Sequence, residues 1–122
     1  MASSSVQRIA GPTYALSVAN TQHAAINVAP FGNDIVNFAS FINTGANPVC
    51  VTFAPFAATP ATPVLVFPVD GTPTVPPSFV LPAAMQLPVL VAIPATPGGF
   101  SVSAIGSVAG PSIIYVTPLV NQ

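Results

Sequence analysis

A chain of 122 residues with one Arg, two Asp and one His is 2% charged and has a formal net charge of -1, where ordinary soluble proteins are about 25% charged. That balance excludes a nucleic-acid binder, which needs basic side chains to displace counterions from phosphate, and leaves almost no titratable pairs for acid–base catalysis. The 52% hydrophobic content is the reverse of a disordered chain, yet no apolar stretch approaches the ~20 residues of a membrane-spanning helix.

The predicted elements are all strands. Sixteen prolines recur too often for a long helix, since an interior Pro costs about 3 kcal/mol. Met1 to Val6 is Ser-rich with no positive run ahead of an apolar core, so no secretory signal is expected. Residues 1–12 read as an extended N-terminal arm, with Val6 and Ile9 as its apolar contacts. Tyr14, Leu16 and Val18 alternate with Ala15, Ser17 and Ala19, which predicts a strand. His23–Val28 is a second, and Ile35–Ile42 a third that carries Phe38 and Phe41.

Asn43 to Asn47 reads as a turn. Val49, Val51 and Phe53 then share one face of a strand, with Cys50 and Thr52 on the other. These two runs are expected to form a hairpin. Ala54–Pro63 is loop-like and presents Phe56 among small residues, Val64–Phe67 is expected as a short strand, and Asp70-Gly71 is a turn signal. Ser78–Leu81, with Phe79, is another short strand. Leu87–Ile93 is apolar without alternation, the pattern of a strand covered on both faces. Phe100–Ile105 and Ser112–Thr117 are expected as a closing hairpin, and 119–122, with Leu119, as a tail.

Eight or nine short strands at spacings of about 8–14 residues predict a single all-β antiparallel sandwich over residues 13–118. It is expected to be jelly-roll-like, with an immunoglobulin-like arrangement as the alternative, Pro-rich loops and extended termini.

Chemistry is thinly provided. His23, Asp34 and Asp70 have no metal-ligand spacing, and both aspartates read as turn residues bonding their own backbone. Nothing brings a Ser or Cys50 beside His23 and an orienting acid. Gly98-Gly99 is a turn and not a phosphate loop. Cys50 reads as a small buried apolar residue. No catalytic, metal or cofactor site is expected, and the candidate residues are protein contacts: Phe56, Phe79, Val6, Ile9 and Leu119.

The stretch Phe41-Ile-Asn-Thr-Gly-Ala-Asn-Pro-Val-Cys-Val-Thr-Phe-Ala54, followed by Ser103-Ala-Ile-Gly106 and Ile114-Tyr-Val-Thr-Pro118, resembles small all-β virion proteins of tailed bacteriophages. Those have an N-T-G-x-x-P-V-x-V-x-F hairpin, a Pro-rich middle and an "S-A-I … LYVTP"-type closing hairpin. This chain departs from them in its very low charge and its long Pro-rich middle, Pro55 to Pro97. The resemblance implies a structural role on the virion and no enzyme activity. The first expectation is a decoration or cement protein on the outer surface of the capsid. It would bind the major capsid protein and itself, as a homodimer or homotrimer, without nucleic acid or membrane. A head–tail, tail or fibre accessory protein, such as a receptor- or glycan-binding module, is the alternative.

Overall fold

The computed structural model describes residues 7–73 and 76–121, and Val6 lies outside them. Nine strands form: β1 (Gln7–Ile9), β2 (Tyr14–Val18), β3 (His23–Val28), β4 (Phe38–Asn43), β5 (Val49–Pro55), β6 (Phe79–Leu81), β7 (Val89–Ala92), β8 (Phe100–Gly106) and β9 (Ser112–Asn121). No helix forms among the described residues. All strand pairs are antiparallel. One sheet runs β1-β9-β4-β7, with β2 also on β9, and the other runs β3-β8-β5-β6.

β1 and β2 lie on the same long strand, at Leu119–Asn121 and Ser112–Val116 respectively. They act as one strand broken at Gly11-Pro12. Counted so, the first strand pairs with the last, β3 with β8, β4 with β7 and β5 with β6. This nested pairing is a long hairpin wrapped around a core, the connectivity of a jelly roll and not of an immunoglobulin domain.

The core follows from the alternation. Leu16, Val18, Phe41, Ile114 and Val116 from the first sheet meet Val28, Val49, Val51, Phe100 and Val102 from the second, all buried. Val49, Val51 and Phe53 share the inner face of β5, as their spacing predicts. Four rings fill the centre: Phe41 lies 5.3 Å from Phe79, edge to face, and Phe53 lies 6.3 Å from Phe79 and 6.4 Å from Phe100. Such geometries add about 0.5–1.5 kcal/mol per pair beyond area burial.

Both expected hairpins are corners instead. β4 and β5 belong to different sheets, as do β8 and β9, so Asn43–Asn47 and the 107–111 turn carry the chain across the core from one sheet to the other. Local sequence marks a turn but not which sheet follows it. The two corners interlock. Ser112 Oγ accepts from Asn47 N at 3.1 Å and donates to Asn47 O at 2.9 Å, and Ser107 N donates to Pro48 O at 3.2 Å. A Cβ on Gly45 would sit 2.5 Å from the Ser112 Cα, so only glycine fits there. Asn43, fully buried, holds the corner by donating from Nδ2 to Asn47 O at 2.8 Å and Pro82 O at 3.1 Å, and by accepting from Gly45 N at 3.0 Å.

Five further expectations are corrected. Ile35–Asn37 precede β4 rather than belonging to it. Val64–Phe67 join no sheet, because Pro63 and Pro68 bracket them and the Leu65 amide is taken by a side chain, Gln22 Oε1, at 2.9 Å. Gln7–Ile9, read as arm, pair with β9, and Leu119–Asn121, read as tail, continue it. Leu87–Ile93, expected to be covered on both faces, yields the edge strand β7, whose outward Leu90 is 52% exposed.

Candidate interaction surface

The two sheets differ in what covers their outer faces. On the β3-β8-β5-β6 sheet the outward residues Cys50, Thr52, Ser101 and Ser103 are all buried. The Pro-rich strap between β5 and β6 packs over Thr52, Ser101 and Ser103. Thr52 Oγ1 donates to Pro77 O at 2.8 Å, and Asn27 Nδ2 donates to Ala57 O at 2.8 Å. The Ala25 amide donates to Thr62 Oγ1 at 2.9 Å. Gln22 binds the strap at two points, through Pro63 O and the Leu65 amide, and donates to Ser103 Oγ at 2.9 Å. The bonds of Thr52 and Gln22 satisfy part-buried strap and sheet groups. A cavity of about 180 Å³ remains beneath it, lined by Ala25, Thr52, Ala61, Pro63 and Ser101 among others.

The outer face of the β1-β9-β4-β7 sheet has no such cover among the described residues. Register places its side chains in rows. Ala15, Tyr115 and Ile42 form one row, Thr117, Ser40 and Leu90 the next, and Ile9, Leu119, Phe38 and Ala92 the third. Ile113 lies beyond the first row, beside Ser17. Ile9, Leu90, Ile113 and Tyr115 are exposed, and no charged residue stands in these rows. A solvent-facing sheet normally alternates apolar inside with polar outside; β9 is apolar in both phases, with Ile113 and Tyr115 outward of Ile114 and Val116.

Four strand positions at ~4.8 Å spacing and about six residues at ~3.4 Å rise give a face of about 400 Å² in projection. That is the size of the largest apolar patch on an ordinary monomer, which is often functional.

The expected contact residues scatter. Ile9 is 67% exposed and Leu119 8%; both lie on this face, Leu119 filled in between Ile9 and Phe38. Phe79 points into the aromatic core. Phe56 lies on the turn before β8, where a Cβ on Gly98 would meet its ring at 3.0 Å. Sequence reasoning passed over Ile113, Tyr115, Ile42 and Leu90. The signal for them is the absence of polar residues in the second phase of 112–116 and 89–92.

The sparse chemistry stays dispersed. Among the described residues no three His, Cys, Asp or Glu side chains converge. His23 Nδ1 lies 2.8 Å from Ala24 O. Asp34 does not bond its own turn; it makes a two-pronged pair with Arg8, Nη1 to Oδ2 at 3.0 Å and Nη2 to Oδ1 at 3.2 Å, clamping β1 to the loop before β4. Hydrogen bonds from Arg8 hold the Asp34 carboxyl below the ordinary carboxylate range. Asp70 sits in the Val69–Thr72 turn. No known protein family matches this sequence, and neither does any characterised protein.

Proposed function

We propose that this chain is a structural virion protein, a decoration or cement protein that binds across major capsid subunits and stabilises the head. One observation carries the reading: a four-strand face, uncharged and largely apolar, is bare of cover among the described residues, while the chain's own strap packs over the middle of the opposite face. Burial of that face against a protein surface supplies the adhesion, at roughly 25 cal/mol per Å² of apolar area. The resemblance of the Asn43–Phe53 and Ile114–Pro118 segments to phage virion proteins supports the choice of partner. Jelly rolls recur in viral capsid and lectin domains, although fold alone does not assign function.

The mechanism is many weak contacts acting together. A face of this size gives modest affinity per copy, and repetition over a shell multiplies it. With no charge on the face, adhesion does not depend on ionic strength.

The experiment is binding of the purified chain to capsid shells lacking it, scored by co-sedimentation. Wild type binds equally at about 0.1 M and about 1 M NaCl. Tyr115→Asp and Ile113→Lys, both exposed, fold but lose binding. Release at high salt, or full binding by both variants, contradicts the reading.

A further inference from the structure

We infer that the cavity between the strap and the β3-β8-β5-β6 sheet is a binding site for a small uncharged molecule of the size of phenol, with an apolar body and one oxygen that accepts a hydrogen bond. The site lies on the face opposite the proposed adhesive surface and does not depend on it.

The space is braced. Close-packed proteins leave few voids larger than a water molecule, and this one measures about 180 Å³. Hydrogen bonds fix the strap to the sheet beside it. Thr52 Oγ1 donates to Pro77 O at 2.8 Å and the Ala25 amide to Thr62 Oγ1 at 2.9 Å, while Gln22 takes Pro63 O and the Leu65 amide. Thr52, Ala25 and Pro63 line the cavity themselves, so the bonds that fasten the strap also set its walls. Ala54 and Ala61, which line it too, are exposed and give a ligand a way in.

The lining sets the chemistry. Alanines and prolines make most of it apolar, and no charged residue is among those that line it, so a charged ligand would lose its water and gain no partner. One buried hydroxyl is unmatched. Ser101, 5% exposed, faces the strap from β8, and its Oγ has no hydrogen-bond partner among the described residues. Ser103, two residues on, is satisfied: its Oγ accepts from Gln22 Nε2 at 2.9 Å and donates to His23 O at 2.7 Å. Asn27, the cross-strand neighbour of Ser101, has a buried Oδ1 that is likewise unpartnered among the described residues. Buried polar groups nearly always have a partner, and a ligand oxygen gives Ser101 one.

Size and wetting favour a ring over water alone. An apolar cavity of about 150 Å³ takes benzene, so about 180 Å³ takes a six-membered ring with one substituent. A well-held buried water needs about 2–4 polar partners. Here the Thr52 and Ser103 hydroxyls already give their protons to Pro77 O and His23 O, which leaves Ser101 as the side-chain donor of the lining. Water in such a space is poorly held, and an apolar body that displaces it gains affinity.

Titration of the full chain with phenol, followed by the amide signals in NMR, tests this. Wild type gives saturable shifts centred on Ala25, Ala61 and Ser101, with a Kd of about 1 mM. Benzoate, a ring of the same size that carries a charge, gives none there at equal concentration. Ser101→Ala weakens phenol about three- to tenfold and leaves benzene binding unchanged. Ala61→Phe, on the exposed strap, fills the cavity and abolishes binding of both, and it serves with benzoate as the test if Ser101→Ala does not fold. Phenol that gives no saturable shift at these amides up to about 20 mM marks a cavity that holds only water and overturns the inference. Shifts centred on Tyr115 and the β9 face, benzoate bound as tightly as phenol, or wild-type phenol binding by Ser101→Ala or Ala61→Phe overturn it as well.

Discussion

At the residue scale, single polar groups decide where the chain turns and where it holds. Asn43 satisfies three backbone groups inside the corner between β4 and β5. Asn43→Ala strands those partners out of water, and chemical denaturation should show a loss of about 1–3 kcal/mol. Ala84 is strained, with φ at 51°, because its amide and that of Met85 are held by Gly45 O and Asn43 O at 2.8 and 2.9 Å. A left-handed alanine costs about 1–2 kcal/mol, more than the entropy penalty of glycine, so Ala84→Gly should raise stability by about 0.5–1 kcal/mol in the same assay. The Arg8–Asp34 pair adds a pH dependence. The folded Asp34 pKa lies below its unfolded one, so the pair's contribution is present above the unfolded carboxylate range and is lost as pH falls through the folded value. Thermal melts from about pH 6 to about pH 2 should show that loss in wild type and a flatter acid limb in Arg8→Ala. The effect is small because the pair is exposed.

At the element scale, the strap sets the asymmetry of the molecule. Gln22 bonds to Pro63, Leu65 and Ser103, tying it to the sheet beneath. Gln22→Ala should speed amide exchange at Leu65 and expose Ser101 and Ser103, while the melting of β4 and β9 changes little. Strand positions were largely legible in the sequence. His23–Val28 and Tyr14–Val18 fall where alternation and breakers put them, and Val49, Val51 and Phe53 face the core as their spacing requires. Pairing was not legible. A hairpin and a corner share the same turn residues, and only long-range contacts such as Asn47 with Ser112 tell them apart. Val64–Phe67 has strand composition but joins no sheet, because Pro63 and Pro68 bracket it and Gln22 takes the Leu65 amide.

At the scale of the whole molecule, the jelly roll has one sheet face packed under its strap and one that no described residue covers. Composition foretold a chain that avoids charge, and it left open where the uncovered apolar residues would gather. Ile113, Tyr115, Ile42 and Leu90 are far apart in sequence, and only the β9-β4-β7 register brings them into adjacent rows. The runs at 113–116 and 89–92, apolar in both phases, read the same whether the chain covers itself or a neighbour does. Among the described residues none covers these faces. The central claim, that this face is the adhesive surface of a capsid protein, is tested most directly by cryo-electron microscopy of the native virion. The account predicts many copies over the joints between capsomers, with Tyr115 and Ile113 turned onto the shell and the strap turned to solvent. Copies at a single vertex or along the tail, or copies resting on the shell through the strap, would contradict it.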